Sequence, residues 1–143
     1  MKKIFLPLAL ALLAGAAGAQ TSPVGLWRNI DDKTGQAKAD IRIEERNGAL
    51  FGHIEKVLQK NAHPTCDICT DDRKGAPIVG LEIIRGVRPA PGDAGVWENG
   101  KILDPENGKE YRTRLTLIDG GQKLQVRGYL GPFWRDQTWT RLP

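Results

Sequence analysis

The sequence predicts an all-β protein, a single antiparallel up-and-down β-barrel of eight or nine strands, and three observations carry that prediction. Two hairpins, around Asn47-Gly48 and Gly120-Gly121, each bring their apolar residues onto one face. Between short alternating stretches, turn signals recur at roughly ten-residue spacing. No window of a dozen residues holds a 3.6-residue apolar period with caps at both ends. Local hairpins favour a barrel over a sandwich, because adjacent strands joined by tight turns form a meander that can close and remove its edges.

The chain has 143 residues, 40% hydrophobic, 27% charged and 6% aromatic. That composition fits one folded soluble domain and excludes a disordered tail, a collagen or a membrane bundle. Residues 1–19 read as a cleavable export signal: a basic Met1-Lys2-Lys3 head, an apolar run over residues 4–13 and a small-x-small site at Ala17-Gly18-Ala19. The run falls short of the roughly 18 to 20 residues a membrane span requires. Residues 20–143 then form the β-barrel domain, located in the periplasm or secreted. Without Lys2 and Lys3 the 21 basic residues become 19 against 17 acidic ones, a net charge of +2 in place of +4. No basic run is interleaved with aromatics, so nucleic acid is not an expected partner.

The elements follow in order. Gly25-Leu26-Trp27-Arg28 opens the domain, and Asp31-Asp32-Lys33-Thr34-Gly35 is a turn. Residues 37–45 alternate, with Ala37, Ala39, Ile41 and Ile43 on one face and Lys38, Asp40, Arg42 and Glu44 on the other, as in a half-buried strand. A two-residue turn at Asn47-Gly48 sets Ile43 opposite Gly52 and Ile41 opposite Ile54. Residues 78–87 form an apolar segment, followed by a short stretch at Trp97, Lys101-Ile102-Leu103 and the turn Asp104-Pro105-Glu106-Asn107-Gly108. Residues 111–118 and 123–130 flank Gly120-Gly121. Their register sets Leu117 opposite Leu124, Leu115 opposite Val126, Thr113 opposite Gly128 and Tyr111 opposite Leu130. Thr138-Trp139-Thr140-Arg141 is the final strand. The inward set is Ile41, Ile43, Ile54, Leu115, Leu117, Val126 and Leu130.

Taken together, several of these motifs resemble a known family. Gly25-Leu26-Trp27, the cysteine loop, Pro77-Ile78-Val79-Gly80-Leu81, the stretch from Ile102-Leu103-Asp104-Pro105 to Glu110-Tyr111, Arg127-Gly128-Tyr129-Leu130-Gly131 and Trp139-Thr140-Arg141 are similar to the small exported bacterial proteins of domain of unknown function 2147. The resemblance spans nearly all of residues 20–143. It implies a lipocalin-like or fatty-acid-binding-protein-like barrel with no assigned activity, and it carries over no catalytic residue. Gly25-Leu26-Trp27 also looks like the first-strand Gly-x-Trp of lipocalins, in which the tryptophan closes one barrel end beneath a basic side chain. Trp27 and Arg141 would be that pair.

Cys66-Asp67-Ile68-Cys69 holds the two cysteines of the chain in a polar loop. In an oxidising compartment the leading reading is a structural disulfide. Thiol exchange would call for a helix N-terminus beside a βαβ unit. A metal could use His63, Cys66, Cys69 and His53, but the hairpin sets His53 beside Arg42 on the polar face, so no metal is expected. Arg114 and Arg127 fall opposite each other, with Arg112 opposite Tyr129. Like charges across a ladder destabilise unless compensated, by a carboxylate on an adjacent strand or by a bound anion; Tyr129 under Arg112 suits a cation–π contact. Among the tryptophans, Trp27, Trp97, Trp134 and Trp139, core filling and barrel closure are the expected tasks for most.

No catalytic motif or paired-carboxylate site emerges, and Asp31-Asp32 and Asp71-Asp72 lie in turns. The expected function is non-enzymatic and without a cofactor: binding of a small apolar or amphiphilic molecule in the barrel mouth, with Thr113, Trp97 and Tyr111 as candidate contacts. The alternative is an envelope interaction module whose barrel is plugged and whose face of Arg112, Arg114, Arg127 and Tyr129 meets an acidic partner.

Overall fold

Alternation places every second side chain of a strand on the same face, so a strand with apolar residues at i and i+2 must curl around a core or pair with one. Eight such strands do so in the computed structural model, which describes residues 21–143; the export signal read in residues 1–19 lies outside the described residues. They are β1 (Gly25–Ile30), β2 (Ala37–Arg46), β3 (Ala49–Val57), β4 (Glu82–Pro89), β5 (Val96–Asp104), β6 (Lys109–Ile118), β7 (Lys123–Leu130) and β8 (Phe133–Arg141). Each pairs antiparallel with its sequence neighbour, and β8 returns to β1 to close the barrel.

Both hairpins adopt the expected registers. Ile41 faces Ile54 and Ile43 faces Gly52 across β2 and β3, and Leu117–Leu124, Leu115–Val126 and Thr113–Gly128 pair across β6 and β7. Asn47 and Gly48 both take positive φ, 52° and 78°, which the tight turn demands. Ile41, Ile43, Ile54, Leu115 and Val126 are buried. Leu117 is half-buried against that core.

Leu130 departs from the expected inward set. It is exposed because it pairs with Phe133 at the tip of the β7–β8 turn, where the wall has ended. The Tyr111–Leu130 pairing is absent as well: the β6–β7 ladder ends at Arg112–Tyr129, while Tyr111 pairs on its other side with Ile102. The Trp97 and Lys101-Ile102-Leu103 stretches form one strand. A register shift between Trp97 and Gly100, with Asn99 at φ 63°, interrupts its alternation. Gly100 is required there, since a Cβ would lie 2.6 Å from the Arg85 carbonyl and 2.7 Å from the Val87 amide. Residues 78–81 belong to the loop before β4, and β8 begins at Phe133, five residues ahead of the expected strand.

One barrel end is solid. Trp27 and Trp139 are fully buried there with Ile43, Leu115 and Leu124. Arg141 lies over the Trp27 ring at 4.3 Å and donates to the carbonyls of Gly121, Val24 and Ser22 at 2.8, 2.9 and 2.7 Å. The Trp27 indole donates to Pro23 O at 2.7 Å. Trp27 and Arg141 thus form the closure suggested by the Gly-x-Trp motif.

Candidate functional site

At the opposite end the barrel opens into a cavity of about 740 Å³. The connections that surround it are the β1–β2 turn, loop 58–81, the β5–β6 turn and the tip between β7 and β8. Inward alternation lines it with Ala39, Ile54, Ile102 and Val126, beneath which Ile41 and Trp139 are packed without accessible surface. Gly128 also lines it, and a Cβ there would have Tyr111 Cβ, 3.9 Å away, as its one neighbour. This volume lies within the usual range for pockets that enclose small molecules.

The rim is polar and internally paired. Lys38 reaches Asp31 at 3.1 Å and Glu106 at 2.7 Å, which ties the β1–β2 turn to the β5–β6 turn. Asp31 also accepts the backbone amides of Thr34 and Lys33 at 2.8 and 2.9 Å. The Thr34 amide and then Lys38 hold its carboxyl well below the usual carboxylate range. Burial works against the charge on Lys38, but the bonds to Glu106 and Asp31 outweigh it and raise the ammonium. Arg135 grips Asp32, and that bond lowers the Asp32 carboxyl. Tyr111 accepts from the Asn107 amide at 3.0 Å, and Gln137 accepts from the Trp139 indole at 3.0 Å. Asn29 Oδ1, also in the lining, is buried without a hydrogen-bond partner. Such an atom carries an uncompensated desolvation cost.

Of the three candidate ligand contacts, Tyr111 lines the cavity whereas Thr113 and Trp97 do not. Thr113 is buried one step deeper, and its hydroxyl donates to Arg127 O at 2.7 Å. Trp97 packs at the solid end, where β5 starts. Asn29, Lys38 and Gln137 were not foreseen as lining. Lys38 in particular sits on the polar face of β2, and only its reach over the rim toward Glu106 brings it in.

Carboxylates on adjacent strands compensate the arginine ladder. Arg127 forms a two-point pair with Asp136 of β8, at 2.7 and 2.9 Å, while Arg114 lies 3.4 Å from Glu98 of β5. Arg112 stacks over Tyr129 at 4.3 Å.

Cys66 and Cys69 are bonded to each other, with 5.4 Å between Cα atoms, and both are buried. His53 faces Arg42 across the hairpin, and no group of three metal-type ligands occurs among the described residues. Arg73, for which the sequence offered no signal, anchors the cysteine loop from a buried position. It binds Asp71, Glu110 at 2.7 Å and the Glu82 carbonyl at 2.8 Å.

Residues 25–141 match the family model described as an uncharacterized protein conserved in bacteria, DUF2147. The chain belongs to that family. This DUF2147 barrel is also similar to a solved structure, protein HP1028 from the human pathogen Helicobacter pylori, described as belonging to the lipocalin family. The two share 13% identity over 87% of this chain and 85% of that one, with a TM-score of 0.73. At that identity the likeness concerns the fold: the DUF2147 chain forms a lipocalin-like barrel. Among curated proteins none matches the sequence significantly.

Proposed function

We propose that this protein is an exported, non-enzymatic carrier that takes the apolar part of a small amphiphilic molecule into the barrel and leaves its polar end at the rim. The observation that carries the reading is the 740 Å³ cavity with an aliphatic inner lining and a charged margin. Each methylene moved from water onto such a lining contributes about 0.8 kcal/mol. The rim offers partners for a polar head, among them the Tyr111 hydroxyl. The cysteine bond fits an oxidising compartment, which supports export to the periplasm or beyond. The arginine face supports an acidic protein partner less well, because Arg114 and Arg127 already hold carboxylates.

The test is titration with anilinonaphthalene sulfonate, alongside native mass spectrometry of protein isolated from its own cell envelope. One amphiphile per barrel is expected, and Gly128→Leu, which projects a branched side chain into the cavity, weakens probe binding by roughly tenfold or more. An empty protein that ignores the probe, or binding that Gly128→Leu leaves unchanged, refutes the carrier reading. For export, N-terminal sequencing of envelope protein should begin near Gln20; an intact Met1 in the cytoplasm refutes that part.

A further inference from the structure

Leu130, Phe133 and Trp134 are 46%, 72% and 57% exposed, and they sit together around the turn that joins β7 to β8. Single exposed apolar residues need no explanation, but three on one projecting tip, Leu130 and Phe133 on one face of it and Trp134 on the other, make the tip itself a contact element. The place is specific. Leu130 and Arg135 line the cavity, so the tip forms part of the lip over which any occupant must pass. Beside it the barrel wall is incomplete: β8 pairs with β1 only at Arg141 and Thr140, leaving its stretch toward Phe133 without a β1 partner.

The surroundings of the tip are cationic. Lys101, Arg112, Tyr129 and Trp134 are direct neighbours in register across β5, β6, β7 and β8, a row about 14 Å wide at the usual strand spacing. Lys101 and Arg112 are exposed and face each other, and neither forms an ion pair among the described residues, whereas Arg85, Arg114, Arg127 and Arg135 nearby all do. Asp136 and Asp32, on the side of the tip, are already occupied by Arg127 and Arg135. Two opposed cations without a carboxylate favour an anionic partner. Arg112 over Tyr129 and Arg127 over Trp134, at 4.3 and 4.9 Å, place guanidinium groups directly behind aromatic rings.

We propose that this lip docks on the surface of an anionic phospholipid bilayer. Phe133, Trp134 and Leu130 enter the headgroup boundary, while Lys101 and Arg112 meet lipid phosphates. Exposed aromatics suit the bilayer interface, and unpaired cations next to them suit its negative charge. A protein partner would also cover the tip, but it would not need apolar residues and free cations arranged at the opening of an apolar cavity. Docking there shortens the aqueous path between bilayer and cavity. It does not depend on the cavity being filled, so protein stripped of ligand docks as well.

Flotation with phosphatidylglycerol-rich vesicles and with pure phosphatidylcholine vesicles tests the proposal. Binding is expected to the anionic vesicles, with a blue shift of tryptophan emission from Trp134, and to be weak on phosphatidylcholine. Phe133→Ser with Trp134→Ser abolishes it. Lys101→Gln with Arg112→Gln weakens it roughly tenfold or more and reduces its salt dependence. All four side chains are exposed, so these variants stay folded, and loss of the Arg112–Tyr129 or Arg127–Trp134 stack lowers the urea midpoint, measured alongside, by only about 0.5 M. Failure to float with anionic vesicles, or flotation that the aromatic pair does not affect, overturns the proposal. So does a concentration-dependent dimer that the aromatic variant abolishes in the absence of vesicle binding, which would assign the tip to a second copy. The Gly128→Leu titration reads the cavity independently, so loss of docking with retained probe binding refutes the lip alone.

Discussion

Arg141→Ala removes the cation that seals the solid end of the barrel, and its cost can be worked from the structure. Three bonds to main-chain carbonyls disappear together with the contact over Trp27. Bonds from a charged donor contribute about 1.5 to 3 kcal/mol when shielded, less where water can replace the donor. Gly121 is buried, so its carbonyl keeps most of that penalty, whereas the Ser22 and Val24 carbonyls lie near solvent and recover much of theirs. The cation–π contact adds about 1 kcal/mol. The expected loss is therefore about 3 kcal/mol. With a urea dependence of roughly 1.5 kcal/mol per molar for a domain of this size, the unfolding midpoint falls by about 2 M at unchanged slope. Arg141→Lys keeps the charge but not the planar fork that spans three carbonyls, so it falls between the two. The assay is urea unfolding followed by far-UV circular dichroism and tryptophan emission. A midpoint shift below about 0.5 M for Arg141→Ala, with the slope unchanged, refutes the closure reasoning.

Replacing both Cys66 and Cys69 by serine lowers stability by about 2 kcal/mol, the chain-entropy value for so short a loop. Arg73 still anchors that loop, so residues 58–81 should become the first site of limited proteolysis without loss of the barrel signal; an unaltered urea midpoint and proteolysis pattern would count against it. Acid should erode the same anchor. Bonding by the Arg73 guanidinium, and then by its backbone amide, holds Asp71 down at about 2. A depressed folded-state value contributes stability above the ordinary carboxylate range near pH 4, and that contribution is lost as pH falls toward the folded value. Asp31, lowered by Thr34 and Lys38, acts in the same direction. Asp71→Asn should therefore flatten the fall in urea midpoint between about pH 4 and about pH 2; an acid limb identical to wild type refutes the anchor.

Wherever the controlling interactions are local, the sequence by itself determined the architecture. Asn47-Gly48 and Gly120-Gly121 fix two registers, because a tight turn leaves the flanking alternation one pairing that buries all its apolar residues. The same registers identified the opposed Arg114 and Arg127. The Gly-x-Trp opening anticipated Trp27 beneath Arg141. What local pattern could not decide was where the walls end and which parts of the interior stay open. Thr113 and Tyr111 alternate on the same inward face, yet Thr113 lies in filled core and Tyr111 borders the cavity, a difference set by height along the barrel axis. Leu130 has the right parity to point inward but comes after the last full rung. A register shift at Gly100 hid the continuity of β5, since alternation breaks where one strand carries extra residues. Lys38 and Arg73 acquire partners distant in the chain, Glu106 and Glu110. Those partners meet because β2 and the loop before β4 both come up against the β5–β6 end of the barrel. Side-chain parity is a property of two successive residues, whereas a cavity is a property of the space that eight strands leave unfilled.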